Sequence, residues 1–246
     1  RLVLGGGITT GGSATVNSIT AGSVLMAAAP TVSVGAGDTL TINGNISGNV
    51  LTFTKAGAGT LVLNGTNTWN GATTLSGGVL RLGSGGALSN ETTVTVSGAT
   101  TTLDVNGLTA NIGSVSSAAG LGVISLNSAT TAGSLTVGND DVTGSFGGTV
   151  IDGGSVVGGV LNKIGYGVLT LNGTSANTFT GTTTVLGGKL TLGKTVAVNA
   201  IGGNLVIGPA SGAVGQQTVS LSGGNDQIPN SALVTVNPSG VFDIVG

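Results

Sequence analysis

Short runs in which aliphatic residues alternate with hydroxyl or amide residues recur along the whole chain. Examples are Thr39-Leu40-Thr41-Ile42, Thr60-Leu61-Val62-Leu63, Val79-Leu80-Arg81-Leu82, Val94-Thr95-Val96, Leu135-Thr136-Val137, Val168-Leu169-Thr170-Leu171, Lys189-Leu190-Thr191-Leu192 and Leu233-Val234-Thr235-Val236. A period of two sends Leu, Val and Ile to one face of a strand and Thr, Ser or Asn to the other. Between the runs stand Asn43-Gly44, Asn64-Gly65, Gly77-Gly78, Asn106-Gly107, Asn172-Gly173 and Gly187-Gly188, pairs that supply the positive φ of tight turns. Helix-forming runs of Ala, Leu, Glu, Lys and Gln are missing. Strands of about four or five residues returning roughly every ten residues predict an all-β sandwich, barrel or solenoid.

An internal repeat selects the solenoid. The segment from Lys55 to Thr66 aligns with that from Lys163 to Thr174; two extra residues follow Thr174, after which Trp69–Gly83 aligns with Phe179–Gly193. The shared positions are Lys55 and Lys163, Gly57 and Gly165, Gly59 and Gly167, Leu61 and Leu169, Leu63 and Leu171, Gly65 and Gly173, Trp69 and Phe179, Gly71 and Gly181, and Gly78 and Gly188. The intervening outward residues change, Val62 to Thr170 and Arg81 to Thr191, so the match records the geometry of a coil. Self-similarity of this kind marks units that stack only on their neighbours. The prediction is a right-handed parallel β-helix of roughly 8–12 coils with little or no helix. It runs as one continuous solenoid over residues 1–246, clearest at 55–83 and 163–193. The interior is expected to be a narrow aliphatic column in which rings fit poorly, with Thr and Asn ladders outside. Both ends read as strand, as expected of a fragment of a longer exported chain.

Composition narrows the function. Of 246 residues 49 are Gly, 6 are Lys or Arg, 8 are Asp or Glu, and none is His or Cys. Disorder requires low hydropathy with high charge, and collagen a strict three-residue glycine period; neither fits. The longest apolar run, Val24–Ala29, is far short of the roughly 20 residues of a membrane span. Six scattered basic residues cannot neutralise a phosphate backbone, so nucleic acid is not an expected partner. Without His or Cys there is no Ser-His or Cys-His nucleophile, and the usual zinc ligands are missing. No cofactor or metal is expected.

Four candidate sites each have a bland reading. Gly188-Lys-Leu-Thr-Leu-Gly193-Lys194-Thr195 fits the phosphate-loop formula, but Lys189–Leu192 alternate as a strand and no helix pattern follows. Asp140, Asp141 and Asp152 could form the carboxylate set of a β-helix lyase or hydrolase; their Gly- and Asn-rich setting reads as turn chemistry. Trp69 and Phe179 could bind sugar rings, but their shared repeat position favours packing over a coil corner. Lys55 and Lys163 are expected to be solvated.

The pattern carried by residues 55–83 and 163–193, with Asn67, Trp69, Gly71 and Thr73 answered by Asn177, Phe179, Gly181 and Thr183, resembles the autotransporter-associated β-strand repeat of passenger domains. That resemblance implies a β-helical passenger exported across the outer membrane, often adhesive. The expected role is therefore a non-enzymatic structural protein, a passenger or adhesin stalk or a self-assembling fibre, secreted or at the cell surface. The expected partners are further coils or copies stacked end to end, and a surface glycan or a host or cell receptor. A carbohydrate-active β-helix enzyme and a carbohydrate-binding module are the alternatives.

Overall fold

The computed structural model describes residues 1–49, 51–211 and 216–244. Among these residues there are strands, turns and bends but no helix, so none is long and apolar enough to cross a membrane. Every strand pairing is parallel, and strands that pair come from successive turns of the chain. The result is a β-solenoid of about 10 turns, within the predicted range.

Each turn visits three faces in fixed order. On the first face lie Leu2–Leu4, Ser23–Met26 and Asn45–Ser47, then the bridge between Thr66 and Ala87. Higher up, that place in the coil belongs to a six-stranded sheet running from Thr109–Ile112 to Val234–Val236. The second face carries six strands from Ile8–Thr9 to Val115–Ser116 and continues through the Ser117–Phe146 bridge into five more, ending at Gly240–Asp243. The third carries seven, from Val16–Ile19 to Thr149–Ile151. Of the expected terminal strand, Val245 and Gly246 lie outside the described residues.

The alternation read from sequence sets the register. Leu40, Leu61, Leu80, Leu103, Ile124 and Val150 stand directly above one another on the third face, as do Ile42, Leu63 and Leu82. All are buried. Rungs lie about 4.8 Å apart, so each side chain packs on its like above and below. Full burial of one such side chain contributes about 1.5–3 kcal/mol.

The interior is not purely aliphatic. Phe53, Trp69, Phe146 and Phe179 are all fully buried, contrary to the expectation that rings fit poorly. Phe53 and Phe146 belong to second-face strands, and Trp69 and Phe179 to the segments between strands. Phe53 and Trp69 stack with centroids 4.9 Å apart and planes 28° apart.

A buried polar frame in each repeat

Lys55 is the third residue of the strand Phe53–Ala56, in which Phe53 points inward. Side chains alternate, so Lys55 shares that face and enters a column of aliphatics, with Val32 on the rung below and Leu75 on the rung above. It is completely buried, as are Lys163, between Val137 and Val185, and Lys194. The solvated lysines expected at 55 and 163 are thus interior residues.

The local backbone explains why a cation fits there. Gly57 takes φ 74° and Gly78 φ 63°, curling the corner so that carbonyls face inward. The Lys55 ammonium donates to Ala56 O at 2.8 Å, Gly57 O at 2.9 Å and Gly77 O of the next rung at 3.0 Å. Three donors meet three acceptors. Lys163 repeats this with Ile164 O, Gly165 O at 2.9 Å and Gly187 O at 3.1 Å, around Gly165 (φ 66°) and Gly188 (φ 59°). Burial pushes both ammonium groups down from 10.5 to about 8, opposed at Lys163 by the charges of Asp141 and Asp140.

Asn67 continues the inward parity of Leu61, Leu63 and Gly65, and is buried. Its Oδ1 accepts from Ile46 N at 2.9 Å, while Nδ2 donates to Gly65 O at 2.9 Å and Ala87 O at 2.7 Å. One amide therefore links the rungs below and above its own. Asn177 does the same, accepting from Val150 N at 2.8 Å and donating to Ala200 O at 2.6 Å. The two-residue insertion before Asn177 preserves its inward parity; a one-residue insertion would have turned the side chain outward.

The repeat glycines serve this packing in two ways. Gly57, Gly78, Gly165, Gly173 and Gly188 have positive φ. Gly59, Gly65, Gly167 and Gly181 do not, but a Cβ there would lie 2.2–2.6 Å from backbone oxygens of the neighbouring rung. Gly44 and Gly65 of the predicted Asn-Gly turns belong to this second group. Gly71 contributes its carbonyl, which accepts from Thr92 Oγ1 at 2.7 Å. Leu61, Leu63, Leu169 and Leu171 are core residues.

The other sequence candidates are also committed to the column. Gly188–Lys194 is a strand, and Lys194 Nζ donates to Gly148 O at 2.7 Å inside the core, so the phosphate-loop formula describes no loop. Asp152 accepts from Asn127 Nδ2 at 3.1 Å, Gly159 N at 2.9 Å and Thr180 Oγ1 at 2.7 Å. Asp140 accepts from Ser114 Oγ at 3.1 Å and Val142 N at 3.0 Å, and Asp141 from Tyr166 N at 2.7 Å. Each carboxylate joins rungs or closes a turn. A further carboxylate, overlooked in the sequence, does so more tightly. Asp38 accepts from Gly12 N at 2.7 Å and from Thr15 N and Oγ1 at 2.8 and 2.9 Å. Hydrogen bonds, led by that of Thr10, hold it well below the usual carboxylate range. Nothing in its local sequence, Ala36-Gly-Asp-Thr39, distinguishes it from an ordinary turn aspartate.

Residues 53–82 and 161–192 each match the family model described as the passenger-associated-transport-repeat. No curated protein and no solved structure matches the chain.

Proposed function

From a chain that carries two passenger-associated transport repeats in one parallel β-solenoid, we propose a structural role. The segment is a column of an autotransporter-type passenger, extracellular or at the cell surface, that spaces or displays what it is joined to as a stalk or fibre. One observation carries this reading: the polar residues shared by the two repeats point inward and join rungs. Lys55, Lys163, Asn67 and Asn177 are buried, with their polar groups donated to or accepting from the backbone of adjacent turns. A residue pattern selected for chemistry would instead bring such groups to a solvent-facing cleft. Rung-to-rung pairing also leaves each coil edge able to pair with another coil, which favours lengthening by further solenoid or by end-to-end stacking of copies.

Negative-stain microscopy of the purified protein, with antibody labelling of intact cells that make it, tests this. The expected result is surface label and rods about 50 Å long per chain, at about 4.8 Å per rung, or fibres built from that unit. Compact particles, or label only after cell lysis, would overturn it.

A further inference from the structure

On the upper half of the column, the corner preceding the second-face strands Val168–Gly173, Gly188–Lys194 and Gln217–Leu221 differs from the rest of the surface. Tyr166, the single tyrosine of the chain, is 81% exposed there, and Leu186 on the next rung is 44% exposed. The Tyr166 backbone is fixed: its N–H donates to Asp141 Oδ1 at 2.7 Å, and Gly165 before it holds φ 66°. The floor beside the ring is glycine backbone at Gly165, Gly187 and Gly188, lining a cleft of about 320 Å³.

Gln217 stands above Gly188 in register and lines the same cleft. Only 8% of it is exposed. Its Nε2 donates to Leu186 O at 3.4 Å, but its Oε1 is buried without a hydrogen-bond partner. A buried acceptor in this state is unfavourable until a donor arrives. The cleft thus has an exposed ring at its rim, an unpaired amide oxygen buried in its wall and, among the described residues, no ionised side chain in its lining.

We propose that this corner binds a neutral carbohydrate, stacked through its C–H face on Tyr166, with a hydroxyl donating to Gln217 Oε1 as the amide, held only by the 3.4 Å bond to Leu186 O, turns toward the cleft. Each feature selects that chemistry. An apolar peptide would cover the ring but leave the amide oxygen unpaired. An anionic ligand would set negative charge against that oxygen, and the nearest ammonium, that of Lys163, is buried and already committed to the Gly165 and Gly187 carbonyls. A sugar supplies an apolar face and hydroxyl donors together, and the side-chain-free glycine floor lets its ring approach the backbone.

The test is titration of the protein with neutral gluco-, xylo-, manno- and galacto-oligosaccharides, followed by NMR of the Tyr166 ring. The buried Trp69 ring serves as an internal reference. The expected result is a saturable shift of the Tyr166 signals by one oligosaccharide class, with Trp69 unmoved. Tyr166→Ala, on the surface and without consequence for the core, should weaken that binding about tenfold or more, and Gln217→Leu should do the same. No shift with any of the sugars at millimolar concentration, or binding that survives Tyr166→Ala, would overturn the proposal. So would Tyr166 signals that move on dilution alone, which would mark the corner as a contact between copies of the chain.

Discussion

The two repeats build the same frame on different faces. In the first, the lysine strand Phe53–Ala56 lies on the second face, the leucine strand Thr60–Leu63 on the third, and Trp69 follows on the first. In the second, the lysine strand Val160–Lys163 lies on the first face, the leucine strand Val168–Gly173 on the second, and Phe179 beside the third, where its N–H reaches Val150 O. The whole unit has moved back by one face. Its lysine cage and its asparagine link nevertheless recur, because each refers to the rung above or below and not to a particular side of the column. The repeat is therefore a device for joining successive coils, independent of where on the prism it falls. The difference between the copies lies in the centre. Trp69 Nε1 donates to Thr73 Oγ1 at 2.8 Å, Thr73 donates to Thr92 Oγ1 at 2.9 Å, and Thr92 ends the chain on Gly71 O. The Phe179 ring carries no donor in place of the indole N–H, and Thr183 Oγ1 is buried without a partner.

If the frame is independent of face, breaking it should cost the same in either copy. The largest effect is expected at Gly78→Val and Gly188→Val. Both glycines have positive φ, and an added Cβ would lie 2.2 Å from Gly59 O and 2.5 Å from Gly165 O respectively. Each variant should lose about 4 kcal/mol or more, measured by urea unfolding. Gly5→Ala, whose Cβ meets nothing within 4 Å, should be close to neutral. An unchanged midpoint for Gly78→Val would refute the turn assignment. Next come Asn67→Leu and Asn177→Leu, which strand the N–H of Ile46 and of Val150. A loss of about 2–4 kcal/mol is expected for each, the greater at Asn67, which donates to two carbonyls where Asn177 donates to one.

The lysines yield a pH signature. Folded values near 8 against 10.5 mean that between these two pH values the unfolded chain binds more protons than the folded one. Stability should therefore rise with pH across that window and level off above it. Lys55, Lys163 and Lys194, each lowered from 10.5 to about 8, would contribute up to about 3 kcal/mol apiece. Lys55→Met keeps the length and the packing and should remove its share of the rise. A flat profile for the unaltered protein between pH 7.5 and 10.5, read by urea midpoints, would show that the carbonyl cages fully compensate for burial.

How far the fold was readable follows from parity. Leu61, Leu63, Leu80 and Leu82 announced their direction through alternation alone, and the glycine spacing announced the coils. The same parity also placed Lys55 with Phe53 and Lys163 with Leu161, and it carried Asn67 and Thr73 inward. Polarity argued the other way and was the wrong guide, because a lysine or asparagine can be buried wherever a curled corner leaves carbonyls unpaired. That supply of carbonyls depends on backbone φ at Gly57 and Gly165 and on the next rung at Gly77 and Gly187, none of which is visible in a linear string. The rotation of the second repeat was hidden for a different reason. It accumulates from the lengths of the intervening coils, and no local motif records it. The Tyr166 corner likewise depends on Gln217, which lies two rungs away and outside the repeat.

The smallest effect is also the one that separates the two centres most sharply. Thr→Val keeps shape while removing a hydroxyl. At Thr73 the hydroxyl sits above Phe53 and below Val94 but bonds sideways, to Trp69 and Thr92. Removing it orphans the indole N–H inside the core, so Thr73→Val should cost about 1–3 kcal/mol. At Thr183 the neighbours in register are Leu161 below and Leu205 above, and the hydroxyl bonds to nothing. There Val removes an unpaid desolvation and adds a methyl to an aliphatic ladder, so Thr183→Val should be neutral or stabilising by about 1 kcal/mol. Opposite signs in the two urea midpoints are the expected outcome. Equal losses would mean that Thr183 has a hydrogen-bond partner after all, and that the two centres are equivalent despite the exchange of tryptophan for phenylalanine.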